Sequence, residues 1–191
     1  MKKIISLIII FFFIFPVISF SSDKTIVLKI KQAEKYVKQG KKDKALEYLN
    51  DAILLIKNSY PFGIKVVTFI DSENGFGKYV RTDNNVYTKG DTLRLYIEPV
   101  GYKIIKDGNY YKIKVSQDAK IVDSKGKTQF ERKDWVIMDK SFITPSIPFY
   151  ITNRISNIAS LPSGEYTYEI TINDLYAGKF YKKNIKFIIK K

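Results

Sequence analysis

The distribution of hydrophobic and polar residues divides the chain into three parts with different periodicities. An uninterrupted apolar run extends from Ile4 to Phe15. Between residues 23 and 57 the apolar positions recur every three or four residues, which is the period of an amphipathic helix. After Pro61 they alternate with polar positions, which is the period of a β-strand. The pattern therefore predicts an apolar N-terminal segment, a helical part and a β part.

The N-terminal segment has the features of a secretory signal peptide. Lys2 and Lys3 form a charged start. Pro16 ends the apolar run, and small residues precede a cleavage position after Ser21. We expect residues 1–21 to be removed and the rest of the chain to be exported to the periplasm or the extracellular space. The alternative is an uncleaved membrane anchor, although the segment is near the lower length limit for spanning a bilayer.

The helical part predicts two antiparallel helices joined by a tight turn. Gln39 and Gly40 end the first helix, and a charged turn follows them. Each helix has an apolar stripe that must be buried against a neighbour. The stripe residues are Ile26, Ile30, Ala33 and Val37 in the first helix, and Ala45, Leu46, Leu49, Ala52, Ile53 and Ile56 in the second.

The segment AEKYVKQGKKDKALEYLNDAILLI resembles one tetratricopeptide repeat. Tyr36 and Gly40 stand at the spacing of that motif. Ala45 and Ala52 supply the small residues that allow its two helices to approach closely. No second copy follows, whereas such repeats need about three units to bury a continuous core. The resemblance therefore implies a structural appendage or a docking hairpin rather than a peptide-binding groove.

Short alternating runs separated by turn signals make up the β part. Alternation is clear where Leu93, Leu95 and Ile97 share one face of a strand. Seven or eight such strands with no helix between them predict a mainly β fold, an antiparallel β-sandwich that follows the helical hairpin. The expected strands span residues 64–70, 92–99, 110–115, 121–122, 129–138, 149–152, 165–173 and 184–190.

The stretch LPSGEYTYEITINDLYAGKFYKKNIKFIIK resembles the final hairpin of immunoglobulin-like domains. Leu161, Gly164 and Tyr166 match the place of the tyrosine corner in such sandwiches, which implies a bond from the tyrosine hydroxyl to nearby backbone. The stretch GFGKYVRTDNNVYTKGDTLRLYIEPVGY is similar to segments of exported bacterial proteins without assigned activity. The expected domains are a signal peptide over 1–21, a helical hairpin over 22–60 and an immunoglobulin-like sandwich over 61–191.

Composition narrows the chemistry that the chain can perform. The sequence contains no histidine and no cysteine. This excludes Ser-His-Asp triads, thiol nucleophiles, zinc–thiolate sites and disulfides. An exported domain without disulfides must be held together by its core, and a mature chain of this length can supply one. We expect neither a cofactor nor a metal.

The chain is strongly basic, with a formal net charge of +14 that becomes +12 once Lys2 and Lys3 are removed. The lysines are dispersed along the sequence without a dense block, which favours a solvated surface. Export makes nucleic acid an improbable partner. Anionic lipid or lipopolysaccharide is an alternative partner, which predicts clustered lysines and an affinity that falls with added salt.

A polar and aromatic strand face is the strongest candidate for binding. Arg94, Tyr96 and Glu98 lie on the same side of one strand. Exposed aromatic rings beside charges suit the recognition of a glycan or a protein. The alternative is that the helical hairpin packs over this face and half-buries its tyrosines. The candidate binding residues are Tyr79, Arg81, Arg94, Tyr96, Glu98 and Trp135.

Carboxylates are the remaining candidates for catalysis, because a glycoside hydrolase needs two of them across a cleft. Nothing in the sequence brings two together, and the leading interpretation is therefore a non-catalytic cell-envelope protein. It would bind or scaffold a protein or a surface polymer. A carboxylate-dependent glycan hydrolase is an alternative. The scattered acidic candidates are Glu98, Asp134, Asp139 and Asp174.

Overall fold

The computed structural model describes residues 20–88 and 90–190, with side chains from residue 23 onward. Residues 1–19 of the predicted signal peptide lie outside this part. Among the helices that are described, none is both long and apolar enough to cross a membrane.

Two helices form an antiparallel hairpin at the start of the described chain. Helix α1 spans Phe20–Lys38 and helix α2 spans Lys42–Ser59. Gly40 occupies the turn at φ +72°, and its N–H donates to the carbonyl of Val37. A left-handed φ of this kind favours glycine, since it carries no Cβ. The helices meet through three buried alanines, which are Ala33, Ala45 and Ala52.

In the described part of the chain, ten β-strands follow the hairpin. The longer ones are β1 (Gly63–Glu73), β4 (Leu93–Val100), β6 (Tyr110–Asp123), β7 (Thr128–Phe142), β8 (Ile151–Ile155), β9 (Gly164–Asp174) and β10 (Lys179–Ile189). The short ones are β2 (Tyr79–Arg81), β3 (Val86–Tyr87) and β5 (Ile105–Asp107). The prediction of a mainly β fold with an N-terminal helical hairpin is confirmed, and the seven longer strands match the expected number.

The strands form two sheets. One has the order β2-β1-β4-β8, and the other has the order β3-β10-β9-β6-β5 with β7 also paired to β6. Tyr111 and Lys112 pair with both β5 and β7, so these two strands lie on opposite edges of β6. Among the strands described, every pairing is antiparallel except that of β10 with β3.

A hydrophobic core fills the space between the sheets. Alternate residues of β4 on one side meet alternate residues of β6 and β9 on the other, as the pleat of facing strands requires. Aromatic rings close one end, where Phe69 packs edge-to-face against Tyr87 and Phe187. The members with no exposed surface are Leu93, Leu95, Ile97, Ile113, Ile121, Tyr168 and Ile172.

One long strand replaces two predicted short ones. Residues 110–115 and 121–122 were separate in the sequence pattern, because Ser116, Gln117 and Asp118 interrupt the apolar alternation. In the structure β6 continues through them. Gln117 is fully buried and its amide exchanges two hydrogen bonds with that of Asn153 in the opposite sheet. The predicted break between the two strands is therefore wrong, because a polar residue can occupy a core position when a polar partner forms hydrogen bonds with it.

The helical hairpin attaches to the sandwich through α2. Asn58 donates to the carbonyl of Ile104 and accepts from the N–H of the same residue, at 2.9 and 2.8 Å. Asp51 accepts from Lys29 of α1 and from Lys106 of β5, at 2.8 and 2.9 Å. The attachment point is thus the segment between β4 and the end of β5.

Asp51 is expected to make this attachment sensitive to pH. Burial opposes its ionisation, but the hydrogen bonds from Lys29 and Lys106 outweigh burial and hold its pKa below the ordinary value. A lowered folded-state pKa stabilises the protein above the unfolded-state value, and that contribution disappears as pH falls through the folded value. We therefore expect Asp51→Asn to lower the free energy of unfolding by about 1 kcal/mol at pH 7.

Urea unfolding at pH 7 and at about pH 2.5 measures this effect, since the lower pH protonates an ordinary carboxyl. The difference between the wild type and Asp51→Asn should shrink at the lower pH. Asp43→Asn is the control, because Asp43 is exposed in the first turn of α2. An equal difference at both pH values would contradict the assignment.

Candidate functional site

The outer face of the four-stranded sheet carries a row of arginines. Arg94 of β4 lies directly opposite Arg154 of β8, and Arg81 of β2 lies opposite Ile70 of β1. The register of β1 with β4 places Ile70 beside Arg94. Arg81, Ile70, Arg94 and Arg154 therefore lie across the sheet in that order. The three arginines are here called the arginine row.

The arginine row has no acidic partner in the described part of the chain. Arg94 donates to the backbone carbonyl of Asp71 at 3.0 Å, and the Arg81 guanidinium lies 6.0 Å from the ring of Tyr79. Like charges directly opposite one another across a strand pair are unfavourable. The row therefore leaves positive charge uncompensated at one end of this face.

Three stacked tyrosines lie next to the arginine row. The ring of Tyr96 lies 4.4 Å from that of Tyr79 and 5.0 Å from that of Tyr150, centroid to centroid. Tyr96 belongs to β4, two residues after Arg94, so it points to the same face. Tyr79 and Tyr150 are half-buried and cover it. These three residues are called the tyrosine stack below.

Two of the predicted binding residues are buried. Tyr96 is 0% exposed and Glu98 is 4% exposed. The Tyr96 hydroxyl donates to a carboxylate oxygen of Glu98 at 2.8 Å and accepts from the N–H of Gly77 at 2.8 Å. Burial raises the pKa of Tyr96 to about 12, so it stays a neutral donor. Tyr96 and Glu98 therefore support the face from beneath and do not form its surface.

The cover over this face is not the helical hairpin. The hairpin attaches near β5, whereas Tyr79, Tyr150 and the turn that contains Gly77 cover Tyr96. The interpretation that α1 and α2 pack over the tyrosines is therefore wrong. Its premise, that the apolar stripes of both helices must be buried within the chain, does not hold here, because several of their residues are exposed.

Trp135 lies apart from the other predicted binding residues. It belongs to β7, in the other sheet, and packs edge-to-face on Phe130 with centroids 5.4 Å apart. The guanidinium of Arg132 lies 5.8 Å from its ring. Trp135 thus forms a small cluster of its own and makes no contribution to the outer face of the four-stranded sheet.

The acidic residues have separate structural partners. Asp139 forms an ion pair with Lys114 at 2.9 Å, and Asp174 is buried and accepts from three backbone N–H groups. The N–H of Asp134 donates to Asp118. Glu98 binds Tyr96, as described above. No group of three or more acidic side chains in residues 20–88 and 90–190 could hold a metal ion.

A cleft lies between the end of α2 and the sandwich, with a volume of about 570 Å³. Tyr60 and Phe76 are exposed at this cleft, and Lys57 and Lys65 supply two ammonium groups. Phe76 precedes Gly77, whose N–H binds Tyr96. The cleft therefore extends the aromatic and cationic character of the face toward the hairpin. Its inner lining consists of Pro99, Val100, Gly101, Tyr102, Ile104, Ile147, Pro148 and Phe149.

Sequence reasoning missed Tyr150 and Arg154. The predicted strand ended at Thr152, which left Arg154 outside any strand. Ile151, Asn153 and Ile155 alternate with Thr152 and Arg154, and this period-two pattern could have extended the strand to its observed end. Asn153 concealed the pattern, since it is a polar residue at a core position.

No family model matches the sequence, and no curated protein sequence matches it either. The C-terminal domain of Wzt has a TM-score of 0.41 at 10% identity, over 68% of this chain and 74% of that one. A β-glucuronidase of Bacteroides uniformis has a TM-score of 0.37 at 9% identity, over 65% and 14%. Spo0M, a sporulation control protein of Bacillus subtilis, has a TM-score of 0.36 at 8% identity, over 69% and 50%. These weak likenesses do not identify a function.

Proposed function

We propose that the protein is a non-catalytic, exported cell-envelope module that recognises a surface polymer or a protein through the outer face of its four-stranded sheet. The arginine row, which lacks an acidic partner, is the observation that carries this proposal. The partner that it fits best is acidic, because an anion would relieve the repulsion between Arg94 and Arg154.

The tyrosine stack suits a partner with flat or apolar surfaces. Tyr79 and Tyr150 are half-buried and their rings contact Tyr96, which is fixed by its hydrogen bond to Glu98. A preformed aromatic platform reduces the ordering that binding must accomplish. Aromatic rings beside guanidinium groups are typical of recognition surfaces for sugars and peptides. The two features together favour an acidic polysaccharide or an acidic protein segment.

The proposal also includes the nature of the two domains, a tetratricopeptide-like hairpin and an immunoglobulin-like sandwich. The hairpin has the buried alanines and the glycine turn of a tetratricopeptide-like unit. The order β1-β4-β8 in one sheet and β10-β9-β6-β7 in the other supports an immunoglobulin-like sandwich. Tyr166 donates from its hydroxyl to the carbonyl of Pro162 at 2.7 Å, as a tyrosine corner would. Export rests on the signal-like segment of residues 1–21.

Binding of polygalacturonate tests the proposal, with neutral dextran of similar length as the reference probe. We expect the protein to bind the acidic polymer, and we expect Arg94→Ala with Arg154→Ala to weaken binding about tenfold or more. Added salt should weaken the wild-type interaction, since the contacts are solvent-exposed charges. Biolayer interferometry at two salt concentrations measures both effects.

Arg132→Ala with Lys133→Ala is the matched control, because it also removes two positive charges and both residues belong to β7 of the other sheet. It lowers the net charge by the same amount without touching the arginine row. An equal loss in this variant would show that overall charge, not this face, drives binding. Equal binding of dextran would contradict an acidic partner, and lipid vesicles bound in place of polygalacturonate would favour the lipid alternative.

A further inference from the structure

The helical hairpin exposes an apolar seam on α2. Leu46, Leu49, Ile53 and Ile56 follow one another at intervals of three, four and three residues. This is the spacing of a coiled-coil seam, in which each side chain of one helix fits between side chains of another. Leu46, Leu49 and Ile56 are 58%, 39% and 37% exposed. The seam therefore has no partner in the described part of the chain.

The seam points away from the sandwich. Asp51, Leu54 and Asn58 of α2 contact the β part. At 100° per residue, the seam positions lie about 150° around the helix from these contacts. The packing of the hairpin on the sandwich therefore leaves the seam free.

Helix α1 adds apolar residues on the same side. Lys29 and Tyr36 of α1 contact Asp51 and Tyr48 of α2 on the sandwich side. Ile30 directly follows Lys29, and Val37 directly follows Tyr36. Each is rotated by 100° around the axis of α1 from the residue before it and therefore points outward. Both are exposed. The hairpin thus presents Ile30, Val37, Leu46, Leu49, Ile53 and Ile56 as one surface, called here the distal face.

We propose that the distal face binds the distal face of a second copy, forming a dimer held by a four-helix arrangement. Five of its six side chains are between 37% and 59% exposed, an apolar area on the order of 400 Å². This is about half of the roughly 800 Å² that each partner buries in a standard interface, in which polar rim residues supply much of the rest. The side chains are aliphatic only, as in helix–helix packing, and they repeat at seam spacing. A two-fold axis makes such a face complementary to itself.

The charges around the distal face suit a second copy, whose rim can pair with them by symmetry. Glu34 and Lys38 pair at 2.6 Å on α1, so the rim of the distal face is mixed in sign. Residues 23–60 contain nine lysines and five acidic residues, so the hairpin has a net charge of +4. Lys2 and Lys3 account for +2 of the total of +14, which leaves a net charge of +8 for residues 61–191. In a dimer formed through the distal faces, the basic sandwiches of the two copies lie on opposite sides of the helices. Repulsion between them is then screened, because the Debye length is about 8 Å.

Sedimentation of the exported chain, with its N-terminus read by mass spectrometry, tests the dimer. We expect a dimer at about 100 μM and a monomer for Leu46→Glu, with the dimer Kd raised about a hundredfold. Ile137→Glu on β7 is the matched control, since Ile137 is 57% exposed and lies on the sandwich. A wild-type monomer, or a dimer unchanged by Leu46→Glu, would overturn the proposal.

A second variant keeps the test independent of folding. The chain has no cysteine, so Leu49→Cys introduces a single thiol on the distal face. Cysteine is an uncharged side chain, so this substitution perturbs the helix less than glutamate does. A short bis-maleimide linker should then give covalent dimers, whereas Ile143→Cys on the sandwich should give few. Dimers from both variants alike would contradict the assignment. A wild-type monomer that binds phosphatidylglycerol vesicles through Leu46 would assign the face to a membrane instead.

Discussion

Gly101→Ala is expected to destabilise the protein by about 3 kcal/mol or more. Gly101 directly follows β4 and adopts φ +67°, a conformation that favours glycine. A Cβ at this position would lie 2.8 Å from the nitrogen of Phe62 and closer still to the carbonyl group of Pro61. These are backbone atoms, so no side-chain rotation can relieve the contact.

The effect should extend to the position of the hairpin. Pro61 and Phe62 connect α2 to β1, and Gly101 allows this connection to pass close to the end of β4. Displacing the connection would also disturb Asn58, which binds the backbone of Ile104. We therefore expect the urea midpoint to fall and the cleft beside Tyr60 to open.

Gly108→Ala is the control for Gly101→Ala. Gly108 has a similar φ of +57°, but no atom lies within 4 Å of its added Cβ. Gly108→Ala should lower the free energy of unfolding by only about 1 kcal/mol, because a left-handed conformation is unfavourable for alanine. Urea unfolding followed by tryptophan fluorescence at Trp135 gives both values. Equal losses for the two variants would show that φ alone, and not the contact with Pro61, determines the effect.

Periodicity was sufficient to predict the parts of the fold in which local pattern and final environment agree. Two apolar stripes, one containing Ala33 and the other Ala45 and Ala52, predicted the hairpin, and the alternation around Leu95 predicted a core strand. Short strands such as Val86–Tyr87 carry too few residues to show a period. This strand forms because the neighbouring strand β10 offers its free edge.

The candidate site was harder to predict than the fold, because it depends on the pairing of distant strands. The sequence placed Arg94 and Tyr96 on one face, and the structure agrees. Register alone brings Arg154 opposite Arg94, across about 60 residues of chain. Burial of Tyr96 likewise depends on Tyr79 and Tyr150, which no local pattern links to it.

Polar residues at core positions account for the errors in the boundaries of β6 and β8, and the structure shows how they are stabilised. Gln117 of β6 and Asn153 of β8 belong to different sheets and face each other in the core. Their amides exchange hydrogen bonds of 2.6 and 3.0 Å, and the Tyr168 hydroxyl donates to Asn153 at 3.1 Å. These bonds tie the two sheets together where apolar packing is interrupted.

Asn153→Ala is expected to lower the free energy of unfolding by about 3–5 kcal/mol. It removes three hydrogen bonds and leaves the Gln117 amide and the Tyr168 hydroxyl buried without their partner. Gln117→Leu with Asn153→Leu should recover a large part of that loss, since two apolar groups of similar size replace the pair. The single substitutions should therefore be strongly non-additive, with a coupling free energy of about 2 kcal/mol.

Asn173→Ala serves as the control for this cycle. Its amide donates to Ser116 and Asp118, at 3.3 and 3.2 Å, on the outer side of the same strands. Because Asn173 is half-buried, water can replace its bond to Asp118, whereas the bond to the buried Ser116 hydroxyl is lost. The expected cost is about 1–2 kcal/mol, below that of Asn153→Ala. Urea unfolding of the single variants, the double variant and the control measures the free energies of unfolding from which the coupling is calculated. Additive losses for Gln117→Leu and Asn153→Leu would mean that the amide pair does not hold the sheets together, and that the apolar core alone determines how they pack.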